Sequence, residues 1–439
     1  MKEKTVQTSH QFYKAFFFVI CITTFVNLLT TQTVFGFKVH GKNADFFDNK
    51  VFSPDIHTVM LHSATWELSF PVIELGSEQQ LELVFDDLSQ AGHSYSYTLV
   101  HCDAGWNRSA ISQQEYLEGF GQGTIHETSP SVNTTVDYIH HRLVFPEENC
   151  RPVLSGNYAL VVFEEDPEDP VLIRRLYIAD NSVHIEARIT QPSPGEFRDM
   201  GQQLVFNVDY DKSSVTDPSH DITVVLRQNS NDNRVIRNPK PSLMVPGKLE
   251  FTGPDEAIFA GGNEFRSLDI KSMKYQTEKI ALIDFQNPYY HVFLKTDESR
   301  EFKPYFSNRD LNGGYYIDKE KSNDKQVEAD YIYVHFSLSQ PIPVQDNSFY
   351  VYGMLTGWQA GPQNRMTYNA EKQCMEATLL LKQGLYDYSY AIADQSGNLD
   401  EVPLEGNFFE TTNVYEIFVY ARESNGRIDR LLGYTRIEK

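Results

Sequence analysis

Cysteine is scarce: four residues among 439, at positions 21, 102, 150 and 374. So few cannot make a disulfide-built scaffold, and the folded part must rest on packed cores. One bridge is open in an oxidising compartment, between Cys102 and Cys150, which fall in the same region of the chain. The other reading is that Cys102 is a buried free thiol on a strand. Basic side chains are the next shortage, 38 Lys and Arg against 60 Asp and Glu, a formal charge of −22. That balance excludes electrostatic binding of nucleic acid. It reads as solubility of an exported protein, or as attraction to a basic rim.

Long apolar runs are missing as well. Ala15 to Leu29 is interrupted by Thr23, Thr24 and Asn27 and is too short for a confident membrane span. With Lys2, Lys4 and Lys14 around its start, residues 1–36 read as a secretory signal, and an uncleaved anchor is the alternative because Val34-Phe35-Gly36 makes a poor cleavage site. Heptads, repeats of roughly 20 to 50 residues and low-complexity tracts are absent, which excludes coiled coils and solenoids. One short helix is expected near Ser112 to Leu117.

Catalytic signatures are absent too. No G-x-S-x-G run occurs, and no histidines stand at H-x-x-x-H or H-E-x-x-H spacing. Gly119-Phe120-Gly121-Gln122-Gly123 lacks the spacing of a phosphate loop and a following helix. Asp86-Asp87 and Glu164-Glu165 are neighbours that point to opposite sides of a strand and read as solvated turn residues. Neither a catalytic centre nor a cofactor, metal or small-molecule substrate is expected, and the chain reads as no enzyme.

What the chain has is aromatic and β-forming residues: 25 Tyr and 29 Phe, 13% aromatic with Trp included. Aromatic and β-branched side chains fit a pleated surface. Short strand-like runs recur between turn clusters, at 65–73, 81–85, 95–101, 138–145, 158–164 and 171–178, then 183–190, 203–210, 222–228, 249–251, 267–274 and 290–295. A third set covers 331–338, 349–355, 375–381, 386–393 and 414–421. The pattern predicts an all-β protein of three consecutive immunoglobulin-like or early-set β-sandwich domains, at 37–180, 181–325 and 329–439. The stretch Asp318 to Asp330, which begins with the unbroken polar run Asp318 to Gln326, reads as a linker.

Four separated runs stand out: His101-Cys102-Asp103-Ala104-Gly105-Trp106, Phe259-Ala260-Gly261-Gly262-Asn263-Glu264-Phe265-Arg266, Glu328 to Phe336, and Glu405-Gly406-Asn407-Phe408-Phe409-Glu410. Together with Leu68 to Gly76, Phe85 to Leu88, Tyr116 to Phe120 and Ala377 to Gly384, they resemble the plug protein family of the type IX secretion system. The resemblance implies a non-enzymatic periplasmic protein, associated with the outer-membrane translocon barrel of that system and closing its inner mouth reversibly. It carries over no catalytic residue and does not reach a cysteine at position 150.

Gly261, Gly262, Asn263 and Trp358 are the candidate partner contacts. The glycines permit a sharp turn, after which Glu264 and Arg266 share one side of the next strand and pair, while Trp358 offers an anchoring ring. The same turn also reads as a purely structural corner, and the same ring as packing within its own domain. The segments Val351 to Trp358, Met366 to Tyr368 and Gly384 to Tyr390 are similar to the early-set sandwiches that include glycogen-binding modules. An alternative function follows, a carbohydrate-binding array on an exported protein, which needs exposed coplanar aromatics.

Overall fold

The computed structural model describes residues 46–439 apart from 90, 194, 196, 212–214, 216, 254–255, 341–347, 395–396 and 424–425. The expected signal at residues 1–36 lies outside the described residues.

Strands are the dominant regular structure of the described chain, paired into sheets that pack as sandwiches, with a few one-turn helices such as Gln113–Tyr116. In the first sandwich, one sheet runs in the order Lys50–Val51, Pro170–Ala179, Gly156–Phe163, Ser96–Cys102, Gln122–Thr124, with Val72–Glu74 joining Pro170–Ala179 in parallel. The facing sheet runs Ile56–Ser63, Leu81–Asp87, Ile139–Phe145, Glu127–Pro130. Alternation along these strands sends Leu81, Leu83 and Phe85 inward against Tyr97, Leu99, Tyr158 and Leu160 of the other sheet. The strand expected at 65–73 is instead mostly turn. The pairing strand lies earlier, at Ile56–Ser63, and leaves Trp66 exposed.

The second sandwich closes late. One sheet runs His184–Thr190, Gly201–Asp209, Lys248–Phe251, Leu243–Val245, with Ile258–Ala260 on the end of Gly201–Asp209. Its partner sheet runs Val235–Arg237, Ile222–Gln228, Val414–Arg422, Asp429–Glu438. Ile222 therefore stands opposite Ala421, and Gln228 opposite Tyr415.

Between Ala260 and Val414 the chain builds the third sandwich. One sheet centres on Gly384–Ala393, flanked by Arg266–Asp269, Tyr315–Ile317, Ser348–Tyr352 and Leu399–Asp400. The other runs Ile280–Gln286, Tyr289–Leu294, Tyr331–Ser339, Cys374–Lys382, Thr367–Asn369. The all-β class holds, while the strand pairing crosses the boundary expected at 325–329. Strands at 266–317 belong with the third sandwich, and 414–438 with the second. Sequence neighbours suggest sequential domains; here the closing pairs are separated by some 190 residues.

The polar run at 318–326 is no free tether. The one-turn helix Lys325–Glu328, which begins within it, sits on the first sandwich, where Val132 N–H donates to the Val327 carbonyl (2.8 Å) and the Tyr138 hydroxyl to the Ala329 carbonyl (2.9 Å).

Candidate functional site

The quoted runs converge on the three places where one sandwich meets another. Between the first and second sandwiches, the run 101–106 ends the strand Ser96–Cys102 and turns under Trp106, which adopts φ +69°. The Asp103 carboxylate holds that turn by accepting from Gly105 N–H (2.8 Å) and Asn107 N–H (2.9 Å). His101 is fully buried, with Nδ1 2.7 Å from Ser109 Oγ and Nε2 3.2 Å from the Ser155 carbonyl. Burial pushes its pKa down, so the ring serves as a neutral structural bridge.

Across this junction Asp232 accepts from Arg175 of the first sandwich and Arg227 of the second, both at 2.9 Å. The Arg227 guanidinium lies 4.3 Å from the Phe70 ring and 5.3 Å from Phe418, with Glu416 at 3.0 Å. Such a buried cation is held by its carboxylates and by the ring faces together.

Between the first and third sandwiches, Asp86 is the hub. It accepts from Lys382 Nζ (2.5 Å) and the Tyr331 hydroxyl (2.7 Å), and lies 2.7 Å from His140 Nδ1. Burial raises the Asp86 pKa, but Lys382 and His140 outweigh it and hold the carboxyl below its usual range. Asp86 and Asp87 do point to opposite sides, yet neither is a solvated turn residue: both are buried, and Asp87 faces Tyr95 (3.0 Å) and His93 (3.0 Å). Met60 and Val84, on the outer face of the first sandwich, join the apolar core of the third.

Between the second and third sandwiches the chain crosses twice, through 259–266 and 405–410, and the crossings are laced together. Gly262 N–H donates to Asn407 Oδ1 (2.8 Å), Phe408 N–H to the Gly262 carbonyl (2.8 Å), and Asn263 Nδ2 to the Glu405 carbonyl (2.7 Å). Gly261 is needed for the approach, since a Cβ there would sit 2.0 Å from the Phe408 carbonyl oxygen. Arg266 does not pair with Glu264. It forks onto Glu405 (3.0 Å to each oxygen) and reaches Asp297 (3.0 Å), while Glu264 accepts from the Tyr305 hydroxyl (2.5 Å) and Thr412 N–H (3.0 Å).

Gly261, Gly262, Asn263 and Trp358 come together here, around one cavity of about 20 Å³. They face inward: both glycines and Trp358 are buried, and the indole packs on Phe265 and Tyr352 at 5.9 and 5.3 Å. The second crossing engages the Gly262 backbone and the Asn263 amide, while the Trp358 ring packs within the third sandwich on Phe265 and Tyr352.

Cys102 and Cys150 are both buried free thiols. Cys150 joins the core beside Leu99, whereas Cys102, three residues further along the same strand, points to the other face near Arg175. The strand separates them, so no bridge forms. Burial pushes the Cys150 thiol up to about 12.

Sequence reasoning missed a trio of acids. Burial and then the Asp310 carboxyl raise Asp387 to about 7, and burial with Glu264 beside it raises Asp310 to about 6, both against backbone N–H groups that pull them down. Asp310 accepts from Phe265 N–H (2.5 Å), and Asp387 from the backbone at Leu311 and Gly313. Their positions, 264, 310 and 387, give no local signal of proximity. Among the described residues no group of three or more His, Cys, Asp or Glu is arranged to hold a metal ion.

The chain is 33% identical to a hypothetical protein from Parabacteroides merdae of known crystal structure, with 90% of this chain and 100% of that one covered at a TM-score of 0.86. That similarity spans the three sandwiches. A structure titled BspA_C_mut (6% identity, 88% of this chain and 99% of that one, TM-score 0.14) and dimeric latent PorU from Porphyromonas gingivalis (10%, 88% and 33%, TM-score 0.15) bear on nothing further. No curated protein matches. Residues 56–180, which contain the Asp86 hub and the 101–106 turn, match the family model described as type 9 secretion system plug protein 1st domain, so the chain carries a first domain of that family.

Proposed function

We propose that this protein reversibly closes the periplasmic opening of the type IX outer-membrane translocon barrel, without catalysis or cofactor. The first domain at 56–180 supports a role in type IX secretion. The observation that carries the finer reading is the use of every long family-like run to weld sandwiches together. A stopper for a wide pore must hold its shape, and Phe46–Lys439 forms one compact unit. A preformed body loses little ordering entropy on docking. Its affinity is bounded, since it leaves when cargo arrives. No helix of the described residues is long and apolar enough to cross a membrane.

The carbohydrate alternative loses its anchors, because Trp358, Tyr352, Tyr388 and Tyr390 are all buried. The test is a pull-down of carboxyl-tagged protein from detergent-solubilised membranes of the native host, read by mass spectrometry. Recovery of a very large outer-membrane barrel supports the reading. Recovery of none, with retention on polysaccharide beads, sinks it.

A further inference from the structure

We infer that the strand Ile280–Gln286 is a docking edge, to which an extended segment of a different protein adds as a further strand. It is the terminal strand of its five-stranded sheet, and among the described residues it pairs only with Tyr289–Leu294. The other side of its backbone is a row of amide and carbonyl groups that templates a neighbour. Proteins ordinarily blunt such an edge with lysine, proline or short length. This one is seven residues long, Ile-Ala-Leu-Ile-Asp-Phe-Gln, with Asp284 as its one charge and no proline; its one register shift, between Ile280 and Leu282, lies at the start and leaves Leu282 to Gln286 regularly paired.

The side chains fit the same use. Leu282 is 51% exposed and Phe285 50%. They are three residues apart and so lie on opposite faces, giving an added strand an apolar neighbour above and below the sheet. Leu282 stands beside Phe293, which stacks on His335 at 4.2 Å. Tyr333 and Tyr289 continue that outer face, their rings 4.8 Å apart. An added strand with apolar residues at alternate positions would extend this stripe. Other terminal strands differ: Glu127–Pro130 is polar and ends in proline, Leu243–Val245 is three residues long, Ile56–Ser63 has no exposed residue, and His184–Thr190 and Asp429–Glu438 carry charges of both signs.

Charge selects the occupant. A second copy carries the same overall charge of −22, and antiparallel self-pairing centred on Ile283 would set Asp284 against Leu282. A neutral or basic strand meets Asp284 favourably. The occupant is therefore an extended, apolar-alternating segment of a neutral to basic protein, a conclusion that stands whether or not the chain closes a barrel.

The test uses a labelled peptide of alternating Val and Thr with Lys at both ends and the middle. Its binding to the full chain is measured by fluorescence anisotropy, with sedimentation velocity on the chain alone. The expected result is micromolar binding that falls at least tenfold in the Leu282→Lys/Phe285→Lys double variant. It falls likewise when alternate peptide amides are N-methylated, and is unchanged by Phe120→Lys, another exposed aromatic. Thermal melts confirm that both variants fold. Equal binding by the double variant or the N-methylated peptide, or no binding at millimolar peptide, overturns the proposal. A dimer of the chain that the double variant breaks overturns it in favour of a second copy.

Discussion

The Lys382 ammonium meets the Asp86 carboxylate at 2.5 Å across 296 residues of chain, with neither side chain reachable by water. The pair fastens the third sandwich to the first, and Tyr138 lies under the ammonium at 4.3 Å.

Cutting one side of that pair leaves a buried charge without its partner. Lys382→Met is expected to lower stability by about 3–5 kcal/mol, and Asp86→Leu by a similar amount. The double variant should lose less than the two losses added together, because no charge is stranded. Urea unfolding of the three variants measures this, and strict additivity would contradict the coupling.

The acids Asp387 and Asp310 predict a pH dependence of definite sign. Folded, they hold protons up to about 7 and about 6; unfolded, a carboxyl releases its proton near pH 4. Their contribution is intact below about pH 4 and is lost as pH rises through 6 and 7. Asp387→Asn keeps the acceptor and removes the charge. It should therefore raise stability by roughly 2–4 kcal/mol at pH 8 and leave it unchanged at pH 4. Thermal melts across this range decide it.

The double crossing predicts a contrast between adjacent glycines. Gly261→Ala places a methyl against the Phe408 carbonyl and should cost several kcal/mol, on the order of the largest single-residue losses. At Gly262, with φ +66° and Arg234 the nearest atom at 3.7 Å, alanine meets only backbone strain and should cost about 1–2 kcal/mol. Denaturant midpoints of the two variants test the order.

The thiols give a chemical test. In the native protein, Cys102, Cys150 and Cys374 should resist alkylation, since all three are buried. Unfolded without any reductant, all three should react fully. Peptide mapping that finds Cys102 joined to Cys150 would reverse the assignment.

The strand content was legible because alternation is local: Leu81, Leu83 and Phe85 mark a core face without reference to any other residue. The runs that became the junctions were legible as runs. Their roles were not, because each role is a long-range pairing. Asp86 looks like a turn residue until Lys382 is placed against it, and Trp358 looks like an anchor until Phe265 and Tyr352 enclose it. Ile280–Gln286 escaped notice because an edge strand need not bury one face, and its apolar residues fall on both sides.

The late closure of the second sandwich has a consequence for how the protein comes into being. As the chain emerges, residues 46–180 can complete their pairings at once, but Ile222–Gln228 must wait for Val414–Arg422 before its sheet exists. For most of its birth the molecule carries half a sandwich with its apolar inner face bare. Such long-range closure is slow and prone to wrong association. The nascent chain thus needs a holding chaperone longer than a string of independent sandwiches would, and a truncation before residue 414 forfeits the second sandwich even though it removes only the tail.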